Sequence, residues 1–121
     1  MTTRGRTPRA DADELYAGLV KAELTQPDVA LGRALQNEVL QVSGKIFAFL
    51  KTGRLVVKLP AERVRELIAA GGAVPFTSGV RVMKEWVCVD VPPGAAGKAF
   101  WCALAGEARH YVAGAAPKPR G

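Results

Sequence analysis

Lys84, Glu85 and Trp86 stand side by side in VMKEWVCVDV, residues 82–91, and a lysine next to a glutamate raises the chemistry of a general acid/base pair. Two such groups must converge on one reacting atom. The segment reads as a β-strand, in which successive side chains leave on opposite faces. Lys84 is therefore expected with Val82, Trp86 and Cys88, and Glu85 with Met83, Val87 and Val89, as solvated or ion-paired strand residues, with Trp86 in the core. The other chemistry-bearing residues are sparse. The one histidine, His110, is expected on the polar side of the last helix, and the two serines, Ser43 and Ser78, fall in turn sequences with no base nearby, so a Ser/His/acid arrangement has little to work with. Cys88 and Cys102 have neither CxxC spacing nor a Cys/His cluster around them, which makes them unpaired thiols rather than a disulfide or a zinc site. No P-loop, strand-borne GxGxxG or HExxH occurs. GGAVPFTSG is glycine-rich but is followed by no helix N-terminus to cradle a phosphate, and reads as a loop. The chain is expected to be no enzyme and to carry no cofactor and no metal.

Charge leaves binding as the open class. The net charge is +6, but Arg4, Arg6 and Arg9 lie in the first nine residues and Lys118 and Arg120 in the last five, which are read as disordered basic tails (1–9 and 114–121). Between Ala10 and Ala116 twelve basic residues face eleven acidic ones. Within that near-neutral body, residues 45–65 hold Lys45, Lys51, Arg54, Lys58, Arg63 and Arg65 against Glu62 alone. With Arg81 and Lys84 these form the candidate surface for nucleic acid or a partner protein. One sheet face is expected to show Lys45, Phe47, Phe49 and Lys51 opposite Arg54, Val56 and Lys58, basic residues interleaved with aromatics as in faces that stack bases. Leu40 and Val42 are expected on that same face, making its centre apolar enough to need a covering helix and leaving the cations as a rim.

The elements that would position these residues follow from period and punctuation. With 121 residues and 49% apolar content, one domain with one core is expected over residues 10–113. No long apolar run or secretory leader is read in the sequence, so the chain is expected in the cytoplasm with no membrane partner. Asp11 to Leu24 suggests a helix with Asp11 or Asp13 as N-cap; residues 28–38 stay ambiguous. VLQV, KIFAFLK and RLVVKL, joined by Ser43-Gly44 and Thr52-Gly53, read as an antiparallel meander. Pro60 starts a second helix with Ala61, Val64, Leu67 and Ile68 on one stripe, stopped by Gly71-Gly72. A fourth strand covers about Arg81 to Val91. A last helix, about Lys98 to Ala113, is expected to lay Phe100, Trp101, Leu104, Ala105, Ala108, Tyr111 and Val112 on the sheet, with Cys102, Glu107, Arg109 and His110 off that stripe. The fold class is α+β: a four-stranded antiparallel sheet packed by about three helices.

Four motifs in order, GKIFAFL (44–50), RLVVKLPAERVREL (54–67), GVRVMKEWV (79–87) and EARHYV (107–112), resemble the TfoX N-terminal domain family over about residues 30–113. The resemblance implies an α+β domain with an antiparallel sheet, and a bacterial, intracellular, non-enzymatic protein of regulatory type. Family members include competence regulators in which a separate C-terminal domain follows, and the 121 residues here have room for the first domain only. The expected function is a regulatory protein-interaction module with a protein partner, the alternative being a nucleic-acid-binding domain that uses the basic sheet segment and the tails.

Overall fold

A computed structural model describes residues 8–34, 37–78, 80–91 and 96–115. The order of elements is α1 (Pro8–Glu23), β1 (Val29–Ala34), β2 (Asn37–Val42), β3 (Lys45–Lys51), β4 (Arg54–Lys58), α2 (Ala61–Ala70), β5 (Ala73–Ser78), β6 (Arg81–Val89) and α3 (Ala96–Ala115). The α+β class and the antiparallel pairing are as expected, but the sheet has six strands in the order β1-β2-β3-β4-β6-β5 rather than four. The two additional strands are its edges. β1 comes from the ambiguous segment, and β5 from AVPFTS, whose Pro75 is tolerated because an edge strand leaves one row of N–H groups unpaired. Helix α1 begins at Pro8, so Asp11 and Asp13 lie inside it and neither caps it. α1 and α3 each take in two residues assigned to the tails; the rest of those segments, 1–7 and 116–121, lies outside the described residues.

Both expected hairpins form. Ser43 and Gly44 (φ 52° and 81°) and Thr52 and Gly53 (φ 48° and 79°) all lie at positive φ, as a two-residue turn matched to strand twist requires. Gly71 and Gly72, at 94° and 79°, end α2 where a residue with a Cβ would be strained.

All three helices pack on one face of the sheet. Ala12, Tyr16 and Leu19 of α1, Val64 and Leu67 of α2, and Trp101, Leu104, Ala105, Ala108 and Val112 of α3 share a core with Leu40, Val42, Phe47, Ala48, Leu55, Val57, Val87 and Val89. Trp101 is fully buried, and its indole N–H is satisfied by the Asp90 carbonyl at 3.0 Å, as a buried indole requires. Phe100 departs from the expected stripe: it is 38% exposed. The Tyr16 hydroxyl is buried without a hydrogen-bond partner, and burial first, then the nearby Glu38 carboxylate, push its pKa far above the ordinary phenol value.

Arg109 does more than its place off the apolar stripe suggests. Its Nε donates to Glu23 Oε1 at 2.7 Å, tying α3 to the C-terminus of α1. Glu23 is nine-tenths buried, so removing the arginine strands a carboxylate in a poorly hydrated site. An exposed pair contributes roughly 0–1 kcal/mol and breaking a fully buried one costs roughly 3–5 kcal/mol. Arg109 is about a quarter exposed, and Arg109→Ala is accordingly expected to lower unfolding stability by about 2 kcal/mol in urea denaturation. Glu23→Gln added to it should restore part of that loss.

Candidate ligand-binding face

The opposite face of the sheet is built by an irregularity in β3. β2 pairs with it as Leu40↔Ala48 and then Gln41↔Ile46, so Phe47 is an extra residue, a β-bulge. Phe47 and Ala48 both enter the helical core, and the alternation is reset. Phe49 then leaves on the other side, where it packs with Val39 and Val56, flanked by Ile46, Phe76, Trp86 and Cys88. The expected single face of Lys45, Phe47, Phe49 and Lys51 is thus divided: Phe47 belongs to the helical core, and Phe49 and Lys51 to the open face. Leu40 and Val42 accompany Phe47 rather than Phe49. None of the three helices contributes to the Phe49 cluster, so the expected covering helix lies on the other side.

Three rings form the centre of this open face. Phe49 and Phe76 meet edge to face with centroids 5.9 Å apart, Phe49 and Trp86 are 5.8 Å apart, and Phe76 and Trp86 are 6.2 Å apart. Lys51 Nζ sits 5.7 Å from the Phe76 ring centre and Lys58 Nζ 5.9 Å from that of Trp86. The lysine stems and outer rings take over the work a helix would do. Val56 is fully buried and Phe49 3% exposed, while Phe76 and Trp86 stay half-buried. Trp86, expected in the main core, therefore belongs to this second cluster.

The expected binding residues do not form one site. Lys51 and Lys58 border the rings, and Arg54 is held by Asp90 at 2.6 Å. Arg81 and Lys84 lie along β6, exposed, and pair with no carboxylate among the described residues. Lys45 is exposed at the start of β3, opposite the core residue Val42. Arg63 and Arg65 lie on α2, on the helical side; Arg63 is engaged by both carboxylate oxygens of Glu107 at 2.9 and 3.1 Å and by Glu66 at 3.1 Å. Phe76 is hidden from sequence reasoning because Pro75 masks the strand; the alternation of Val74 and Phe76 is the available signal.

Lys84 and Glu85 make no bond to one another. Glu85 faces α3, where burial and then the Glu85 carboxylate raise the pKa of Tyr111. On the helical side a cleft of about 510 Å³ lies between Leu59, Pro60, Arg63, Glu107, His110 and Tyr111. Its guanidinium is already engaged by the carboxylates of Glu107 and Glu66, and His110 is exposed at its edge. Among the described residues no three His, Cys, Asp or Glu side chains gather as metal ligands, and no helix is long and apolar enough to cross a membrane.

A scan against models of protein families finds no match for this chain, and searches of curated proteins and of solved structures find none either.

Cys88, on the open face, reports on this environment. Burial pushes its thiol above the ordinary value, opposed by Arg54 and Lys51, with Asp90 adding to the rise. A raised pKa means less thiolate at a given pH, and the thiolate is the reactive form. Alkylation of Cys88, followed by peptide mass spectrometry from about pH 7 to 10.5, a window around the ordinary thiol value, is expected to reach its midpoint above that of a free cysteine in the same solution. A midpoint at or below the free value would contradict the buried, mostly apolar face.

Proposed function

We propose that this chain is a non-enzymatic binding domain whose working surface is the open sheet face, and that the ligand this face suits is single-stranded nucleic acid. The observation that carries the reading is the aromatic cluster of Phe49, Phe76 and Trp86 with a lysine ammonium over each of its two outer rings. A cation over an exposed ring contributes about 0.5–1 kcal/mol, whereas stacking a base contributes about 1–3 kcal/mol. A base can therefore displace the ammonium from the ring, and the displaced lysine, still tethered beside it, is placed to meet the phosphate. Stacking of this kind needs unstacked bases, which single strands offer and duplexes withhold. With strands about 4.8 Å apart, the six-stranded face is roughly 24 Å across, wide enough for several nucleotides.

A second reading has its own observation. Val80 is fully exposed and Val82 is 58% exposed in and just after the β5–β6 turn, an apolar tip that would suit a protein partner. The resemblance to the TfoX N-terminal domain family, through the four motifs quoted above, supports a regulatory setting in a bacterial cell for either reading. It carries no site residues with it.

The nucleic-acid reading is tested on the full chain by fluorescence anisotropy with labelled single strands over a range of salt. Affinity is expected to fall with salt, and Lys51→Gln/Lys58→Gln is expected to weaken it and flatten the slope by about 1.4, roughly 0.7 for each phosphate no longer neutralised. Replacing Arg4, Arg6, Arg9, Lys118 and Arg120 by glutamine should leave most of the binding in place. If that second variant alone abolishes binding, the sheet face is not the site.

A further inference from the structure

β5 and β6 do not end with the rest of the sheet. The pairing of β4 with β6 stops at Lys58↔Trp86, with one further backbone bond from Leu59 N–H to the Glu85 carbonyl. Beyond that point Arg81, Val82 and Met83 pair only with Ser78, Thr77 and Phe76, so the hairpin continues as a two-stranded ribbon. Where it departs, the register jumps from Pro75↔Val87 to Phe76↔Met83. Lys84, Glu85 and Trp86 consequently stand opposite no residue of β5. Such an interruption re-aims side chains, and beside it lies a cleft of about 470 Å³ lined by Lys58, the residues from Arg81 to Glu85, and Trp86.

The lining is chemically specific. Trp86 offers a partly exposed ring with Lys58 over it, and Arg81 and Lys84 are exposed and pair with no carboxylate among the described residues. The one acidic residue of the lining, Glu85, also lies near Tyr111 of α3, whose hydroxyl pKa is raised by burial and then by this carboxylate. Three cations in one cleft with an aromatic ring complement a ligand that joins an aromatic base to an anionic group. The volume lies in the range of small-molecule sites, and a guanidinium fork matches phosphate geometry.

We propose that the cleft where the β5–β6 ribbon leaves the sheet seats one nucleotide of a single strand, with its base on Trp86 and its phosphate between Arg81 and Lys84. The proposal rests on the reading of the open face above and adds to it the place where one base is held. The cleft borders Lys58 and continues onto the face that carries Lys51, so the strand runs from the ribbon across the three rings.

Two signals from one titration separate this proposal from the broader reading. Trp101 is fully buried, so a change in tryptophan emission caused by a stacked base comes from Trp86. The full chain is titrated with a labelled single strand of about 12 nucleotides, within the span of one such binding face, and anisotropy and tryptophan emission are followed together. Emission is expected to fall with the same midpoint as the anisotropy rises. Trp86→Leu, checked for folding by circular dichroism, is expected to weaken binding about 5- to 150-fold. Arg81→Gln/Lys84→Gln, on exposed positions that carry no packing, is expected to weaken it and to flatten the salt slope by about 1.4. Anisotropy that rises with unchanged emission, and with both variants within twofold of the parent, overturns the cleft and leaves the open face standing. No anisotropy change with any single strand overturns both. Quenching by adenosine monophosphate at the same concentration as the strand overturns the assignment to a strand.

Discussion

The extra residue at Phe47 is the constraint on which the two faces of this protein depend. A strand that alternated strictly would place Phe47 and Phe49 together, concentrating aromatic area on one side. The bulge uses one residue to turn Phe47 and Ala48 both toward the helices, and everything after it leaves with the opposite phase. Phe47 completes the core beneath α1 and α3, while Phe49 becomes the centre of a second cluster. Lys51 follows it onto the open face, and β4 carries Arg54, Val56 and Lys58 there through the tight Thr52-Gly53 turn.

The second cluster solves a problem that the six-stranded sheet creates. An antiparallel sheet tolerates water on one face when that face is polar, yet Val39, Phe49 and Val56 are apolar and have no helix above them. Phe76 and Trp86 close around them, and the lysine stems complete the cover while their ammonium groups stay wet. A face covered by rearrangeable side chains rather than by a fixed helix can exchange that cover for a ligand. The helical side has no such freedom, since Trp101 is bonded to the Asp90 carbonyl and Arg109 to Glu23.

Much of this is legible in the residues. The two Gly-containing turns, the apolar stripe of α2 and most of that of α3 follow from local chemistry, and the structure has each of them. β1 is ambiguous in sequence because Gly32 interrupts a short and weakly patterned segment, and β5 reads as loop because Pro75 is a poor strand residue anywhere but at an edge. Edge status is a property of the whole sheet, which no local pattern contains. The bulge is illegible for a related reason: KIFAFLK alternates acceptably in either phase, and only the pairing with β2 decides which residue is extra. With that phase misjudged, Leu40, Val42 and Phe47 fall on the side of Phe49 and a helix is expected there. The basic residues are identifiable as a group, but their division among the open face, the ribbon and α2 requires the tertiary structure.

The most direct test of the account is an amide and indole NMR titration of the full chain with a short unlabelled single strand. The two indole N–H signals serve as internal probes, because Trp86 lies on the open face and Trp101 is buried beneath the helices. The account predicts that the Trp86 indole and the amides of Phe49, Lys51, Lys58 and Phe76 shift together, with the Trp101 indole unchanged. Shifts confined to the helices or to the chain ends, with the Trp86 indole unmoved, would contradict it.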